Sequence, residues 1–143
     1  MLNNQQTKYI GIDYGKKRTG ISISDYNKKI SFPYMTVKTI NLLKCLNDLT
    51  KKEKIEKIII GKPFKLNNQM HALENDIVNL IKSIKNSFPE ITIHRVDERF
   101  TSKISLKILN QLETRKKIRM DKKVIDKISA SLILESYLNK IIK

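Results

Sequence analysis

Apolar residues recur along the first part of the chain with the period of a strand and then with the period of a helix. Residues 8–14, 19–25 and 29–38 are short, partly alternating segments joined by short polar links, which predicts three strands connected as hairpins. Pro33 predicts an edge position or a bulge in the third of them. Leucines at helical spacing follow and predict a helix over residues 40–53.

The rest of the chain alternates between strand and helix patterns. The predicted elements are strands over residues 54–61 and 90–96, and helices over about 69–87, from Thr101 or Ser102 onward, and over about 122–142 with Asp121 as N-cap. The order βββαβαβαα predicts an α/β fold with a mixed five-stranded sheet flanked by helices. We find no internal boundary and expect a single domain over residues 1–143.

Cations outnumber acids in this chain by a wide margin. The 29 Lys and Arg residues against 14 Asp and Glu residues give a net charge of +15 at pH 7. Such a charge favours a polyanionic partner, since cations that meet phosphates release counterions. A lysine bias is equally expected of an AT-rich genome, so the charge alone favours nucleic acid only modestly.

The apolar segments are too short to suggest a membrane protein. No segment approaches 18 uninterrupted apolar residues, and the first residues lack the design of a signal peptide. The single Cys45 has no partner for an internal disulfide, and its helical surroundings predict a small buried hydrophobe. We therefore expect a cytoplasmic protein without membrane contacts.

Three acids occur where the pattern predicts burial. Asp13 lies in the apolar run of the first strand, Glu98 follows the strand over 90–96, and Asp126 shares a core-facing stripe of the last helix. Each alone has a structural explanation: a turn residue, an ion pair with Arg99, or a charge favoured by the helix dipole. Together in a phosphate-seeking chain, they indicate a site for hard divalent cations such as Mg²⁺, and two such ions can cleave a phosphodiester.

Cations lie close to these acids in the sequence. Lys16, Lys17 and Arg18 follow Asp13 almost at once, where phosphates of a substrate would pass. Residues 113–121 predict an exposed, mobile basic loop between the last two helices, and whether it orders over substrate is left open as a hypothesis. Its cations are Arg115, Lys116, Lys117 and Arg119.

Other catalytic motifs are absent or incomplete. The segment "GKKRTG", residues 15–20, has the spacing of a phosphate loop but lacks the Lys and Ser or Thr that should follow. Asp-x-Gly followed by Thr-Gly is also typical of actin-like ATPases, which need two such domains. One Cys and two His exclude a zinc cage, and no histidine is placed to serve a serine nucleophile.

Four ordered motifs resemble the YqgF/RuvX family of pre-16S rRNA nucleases, also described as Holliday-junction-resolvase-like. They are "GIDYGKKRTGISISD" (11–25), "IIIGKP" (58–63), "DERFTS" (97–102) and "VIDKISASLILESYL" (124–138). The resemblance implies a ribonuclease H-like fold with Asp13, Glu98 and Asp126 as catalytic, metal-binding residues. It also implies that Arg18, Arg99 and Thr101 lie near the acids, where we infer contact with nucleic acid.

The chain departs from the family pattern at two places. Lys62 stands where the family usually has Leu, without the Gly that normally follows Pro63, and Ser129 stands where Ala is common. The first change predicts an altered shape for the loop that follows Pro63. Neither change replaces one of the three acids.

The resemblance and the acids together predict a metal-dependent endonuclease acting on structured RNA. It would trim the 5′ end of a 16S rRNA precursor, either free or within the precursor of the small ribosomal subunit. Its cofactor would be Mg²⁺ or Mn²⁺. We expect a monomer or a weak homodimer. A four-way DNA junction resolvase, which normally needs a dimer, would use the same acids. A non-catalytic nucleic-acid-binding module is the third alternative.

Overall fold

The computed structural model describes residues 6–63, 67–98, 106 and 121–142. The helix predicted from Thr101 or Ser102 onward lies outside these ranges apart from residue 106. The basic loop predicted over 113–121 also lies outside them, except for Asp121.

Five strands form one mixed sheet, as predicted. They are β1 (Lys8–Asp13), β2 (Arg18–Ser24), β3 (Ser31–Lys38), β4 (Ile55–Lys62) and β5 (Thr92–Asp97). Their order in the sheet is β3-β2-β1-β4-β5. The first three strands are an antiparallel meander, and β4 and β5 run parallel to β1. The carboxyl ends of β1, β4 and β5 therefore meet at the same edge of the sheet.

Three helices cover the two faces of this sheet in the described part of the chain. They are α1 (Leu42–Lys52), preceded by a 3-10 turn over Thr39–Asn41, α2 (Asn68–Ser87) and α3 (Lys122–Ile142). Asp121 caps α3 as predicted, because its Oδ1 accepts the backbone N–H of Lys123 at 2.8 Å.

Alternate residues of the central strands face different helices. Ile10 and Ile12 of β1 belong to the larger core, which also contains buried leucines of α1 and isoleucines of α2. Tyr9 packs on the opposite face, in a smaller core with residues of α3 that include Ile133 and Leu134. Because side chains alternate along a strand, Gly11 and Asp13 lie on the same face as Tyr9 and α3.

The edge strand has the irregularity that its proline predicts. Within the described residues, β3 is paired only with β2, and the register shifts so that Met35 is opposite Ile21 while Pro33 is opposite Ser22. Tyr34 is thus the extra residue of a bulge. Cys45 packs against the larger core, with its Sγ 3.4 Å from Met35 Sδ. It is only half-buried, which corrects the prediction of a buried side chain.

No helix within the described ranges is long and apolar enough to cross a membrane.

Candidate active site

Helix α3 lies in direct contact with the backbone of β2 at the level of the first acid. Gly20 is opposite Asp13 in the β1–β2 pairing, and a Cβ atom added to Gly20 would overlap the carbonyl group of Asp126. Only a residue without a side chain allows this approach. The glycine therefore brings the helix that carries Asp126 to the strand next to Asp13.

Asp13 is the last residue of β1 and is only 8% exposed. Burial of a carboxylate is costly unless charged or hydrogen-bonding groups stabilise it, which makes this position a candidate for function. By strand alternation its side chain lies on the face that α3 covers. The structure thus places Asp13 at the end of β1, buried and on the face of the sheet that α3 covers.

Glu98 reaches the same face from the end of β5. Ile12 pairs with Ile60, so the next residues, Asp13 and Gly61, are neighbours at the ends of parallel strands about 4.8 Å apart. A Cβ added to Gly61 would lie 3.0 Å from Glu98 Oε1. The carboxylate of Glu98 therefore lies over Gly61, on the strand next to Asp13.

Sequence reasoning missed this role of Gly61. The strand was predicted to end at residue 61, whereas β4 continues to Lys62 and Gly61 is inside it. A glycine within a strand signals the close approach of another group, and here that group is a carboxylate.

Asp126 is engaged by an arginine from β2. Its Oδ2 accepts the Nε–H of Arg18 at 2.9 Å, and both side chains are partly exposed. The sequence predicts both residues for the site, but it does not predict that they pair with each other. The two are 108 residues apart, so no local pattern signals the contact.

The three acids share one end of one face, but they do not form a single ligand cluster. Among the described residues, no three His, Cys, Asp or Glu side chains are grouped so that they could hold a metal ion. The donor chemistry fits a divalent cation, because carboxylate oxygens are its usual ligands. Glu98 lies over Gly61, on the strand next to Asp13, while Asp126 is bound to Arg18.

Lys16 and Lys17 are exposed in the short connection between β1 and β2. Thr39 fixes this connection from the far end of β3: its Oγ1 donates to Gly15 O at 2.6 Å, and its N–H donates to Lys17 O at 3.0 Å. The two lysines are therefore held close to the end of β1. The other predicted contacts with nucleic acid lie outside the described residues: Arg99, Thr101, Arg115, Lys116, Lys117 and Arg119.

Arg95 fixes the end of β4 from the opposite face of the sheet. Its guanidinium donates to Gly61 O at 3.1 Å and Ile60 O at 3.3 Å, and it forms two hydrogen bonds with Glu74 of α2, at 2.7 and 2.9 Å. These bonds to Arg95 hold the pKa of Glu74 below its ordinary value. Sequence reasoning missed this pair, which fixes the backbone on which Glu98 rests.

The sheet order, the helix that crosses its face and the acids at the strand ends define a ribonuclease H-like domain. The chain belongs to the RuvX family, whose model, described as "Holliday junction resolvase", matches residues 7–140. The resemblance read from the four motifs is thereby confirmed.

Relatives from several bacteria match nearly the whole chain. Proteins of Christiangramia forsetii, Bacteroides thetaiotaomicron and Karelsulcia muelleri are 38%, 39% and 42% identical. Each match covers 92% of this chain and between 96% and 98% of the relative. All three carry the name "Putative pre-16S rRNA nuclease".

Two solved structures share the fold at low sequence identity. One is T. thermophilus RuvC in complex with a Holliday junction substrate, with a TM-score of 0.63 at 8% identity over 95% of this chain and 96% of that chain. The other is the fowlpox virus resolvase in complex with Holliday junction DNA, with a TM-score of 0.58 at 16% identity over 96% of this chain and 100% of that chain. They confirm the ribonuclease H-like fold.

Proposed function

We propose that the protein is a metal-dependent endonuclease that hydrolyses phosphodiester bonds in structured RNA and matures the 5′ end of pre-16S rRNA. The observation that carries the proposal is that Glu98 lies over Gly61, on the strand next to Asp13, with the Arg18–Asp126 pair on the same face. The names of the relatives, which span almost the same length, supply the class of substrate.

Asp13 and Glu98 would hold the metal ion, with Asp126 as a third ligand. Mg²⁺ or Mn²⁺ suits such oxygen donors and, when bound, would activate water and stabilise the leaving oxygen. In the structure, the guanidinium of Arg18 neutralises Asp126. The same guanidinium can bind a phosphate, so we expect Arg18 to exchange Asp126 for substrate when RNA arrives.

Cleavage by purified protein tests the proposal. The substrates are an end-labelled 5′ segment of a 16S precursor and a labelled four-way DNA junction, each with Mg²⁺, Mn²⁺ or a chelator. We expect metal-dependent cutting of the RNA. Asp13→Asn and Glu98→Gln should lower the rate at least about 100-fold, since even groups that only support a metal ligand contribute about 10–100-fold.

Asp48→Asn is the matched control, because it removes one carboxylate from the exposed surface of α1. It should cut like the unmodified protein. Circular dichroism and RNA binding of the Asp13 and Glu98 variants should stay close to the unmodified values. Full activity of Asp13→Asn would contradict the proposed mechanism.

Resolution of four-way DNA junctions is the second candidate function. The description of the family model and both structural neighbours favour it. Cutting only the junction, together with a dimer in sedimentation, would establish it in place of the RNA substrate. Binding of either substrate without metal-dependent cutting would instead support a non-catalytic nucleic-acid-binding module.

A further inference from the structure

A groove of 540 Å³ opens next to the candidate active site, between the β1–β2 connection, the end of β3 and the first turn of α3. We call it the β3 groove. The cations that line it are Lys16, Lys17, Arg18, Lys38 and Lys123. The last two were not among the residues that the sequence singled out.

The fold brings the cations together from separate elements. Arg18 and Lys38 are opposite each other in the β2–β3 pairing. Thr36 of β3 donates its hydroxyl to the backbone carbonyl of Lys123 at 2.5 Å, which ties the start of α3 to the edge strand. Their grouping is therefore a product of sheet pairing and helix docking, and no run of charges in the sequence reveals it.

The groove has a strong excess of positive charge. Among the described residues, those that line it include five cations and no carboxylate. Like charges collected along a concave wall repel one another, and that repulsion is relieved when an anion enters. Arg18 is already neutralised in part by Asp126, which does not line the groove.

The groove adjoins Asp126. Arg18 lines it and is bonded to Asp126, and Lys123 precedes Asp126 by three residues, which is less than one turn of α3. Ile40, which is 90% exposed, adds an apolar surface to the wall. Cations beside an apolar surface suit a chain of phosphates and riboses.

We propose that the β3 groove binds the backbone of one strand of the nucleic-acid substrate where that strand extends away from the acids. Lys38 and Lys123 contact its phosphates. The proposal rests on the proposed function, because it assigns a path to the same substrate. It adds Lys38 and Lys123, two cations of the groove that lie outside the four motifs.

Binding without cleavage tests the groove by itself. The protein is titrated into a fluorescein-labelled 5′ segment of a 16S precursor, with a chelator present, and anisotropy gives the affinity at several salt concentrations from 50 to about 300 mM. A contact with one phosphate contributes about 0.7–0.9 to the slope of log affinity against log salt. Lys38→Gln combined with Lys123→Gln should therefore reduce the slope by about 1.4–1.8.

The matched control is Lys82→Gln combined with Lys85→Gln, two exposed lysines of α2 on the opposite face of the sheet. This control has the same net charge as the groove variant and should keep the unmodified slope. Equal reductions in both variants would overturn the proposal, because binding would then follow total charge. An unchanged slope in the groove variant would overturn it as well.

Cleavage assays separate this result from the proposed function. If the unmodified protein cuts the RNA while the groove variant binds with an unchanged slope, the proposed nuclease function is supported and the proposed binding role of the groove is contradicted. If the slope of log affinity against log salt is reduced in the groove variant but the unmodified protein cuts neither substrate with any metal, the binding role of the groove is supported and the nuclease function is contradicted.

Discussion

Gly61 gives the carboxylate of Glu98 its place at the end of β4. An alanine there would bring its Cβ to 2.7 Å from Ile133 Cδ1 and 3.0 Å from Glu98 Oε1. Both neighbours are side-chain ends, which can move without unfolding the sheet. The glycine therefore matters for the position of the acid more than for the fold.

We expect Gly61→Ala to lower the free energy of unfolding by about 1–3 kcal/mol, the usual cost of overpacking. It should lower metal-dependent cleavage far more than this modest destabilisation explains, because Glu98 is displaced. Urea denaturation and cleavage rates provide the two measurements.

The double variant Gly61→Ala/Ile133→Val separates the two effects. Val lacks the Cδ1 atom of Ile133, so the double variant relieves one contact and leaves the contact with Glu98. Part of the stability should return while cleavage stays low. Recovery of cleavage in the double variant would show that the loss came from packing of α3.

Ser129 has a buried hydroxyl without a hydrogen-bond partner among the described residues. Such a group costs about 1–3 kcal/mol relative to a satisfied one. We therefore expect Ser129→Ala to raise the free energy of unfolding by about 1 kcal/mol, measured by urea denaturation.

Ser22→Ala is the control, since Ser22 is also buried and donates its hydroxyl to Ala130 O at 2.7 Å. Its substitution leaves that carbonyl without this bond and should be destabilising. A loss of stability in Ser129→Ala similar to that in Ser22→Ala would contradict the prediction.

At the scale of elements, the Arg95–Glu74 pair connects α2 to the end of β4. The pKa of Glu74 is lower in the folded chain than its ordinary value of 4.5, chiefly because Arg95 donates hydrogen bonds to its charged form. As the pH falls below 4.5, Glu74 takes up a proton in the unfolded chain, while in the folded chain it stays ionised to a lower pH. Stability contributed by the pair is therefore present above pH 4.5 and is lost as the pH falls through the folded-state pKa.

We expect Glu74→Gln to remove this part of the acid dependence. At pH 7 the variant should be less stable by about 1.5–3 kcal/mol, the contribution of hydrogen bonds to charged groups. The difference should narrow as the pH falls below 4.5, in urea denaturation at a series of pH values. If the difference in free energy of unfolding between the two proteins stays constant down to pH 3, the destabilisation comes from altered packing and not from the loss of an ionised carboxylate.

The elements were largely predictable because their apolar positions are periodic. Residues 122–142 were expected to form a helix and do so, and the boundaries of β1, β2, β4 and β5 differ from expectation by at most two residues. The long apolar stripe of α3 is typical of a buried helix, and the proline of β3 is typical of an edge strand, so few other assignments fit these two segments. Periodicity fixes which face of an element is buried, and this is also why the three acids stood out.

The contacts inside the site were not predictable by the same means. Arg18 and Asp126 meet only because α3 crosses β2, and Glu98 reaches Gly61 only because β5 is parallel to β4. Arg95 carries no pattern in the sequence that predicts its bonds to Gly61 and Glu74. Such pairs depend on which elements lie next to each other in the fold, and the spacing of apolar residues along the chain does not reveal that.

For the whole molecule, the net charge of +15 opposes folding at low ionic strength through self-repulsion. The screening length falls from about 30 Å at 0.01 M salt to about 8 Å at 0.15 M. We therefore expect Tm to rise by about 2–4 °C between these conditions, corresponding to about 1 kcal/mol for a chain of this size.

Thermal melts in a series of NaCl concentrations measure this rise. The variant Lys82→Gln/Lys85→Gln has a lower net charge and should show a smaller increase. A constant or falling Tm in the unmodified protein would mean that favourable ion pairs, such as Lys8–Glu53, outweigh the repulsion.

The packing of α3 on the sheet also sets when an active molecule can exist. A ribosome completes the five strands and both acids at their ends before it makes this helix, which brings Asp126. A nascent chain, or one ended early by a stop codon, exposes the apolar strip around Ile59 and Val96 that α3 covers. If Asp126 serves as the third metal ligand, a chain that ends before α3 would lack it, and synthesis of this helix would then be the step that completes the proposed nuclease.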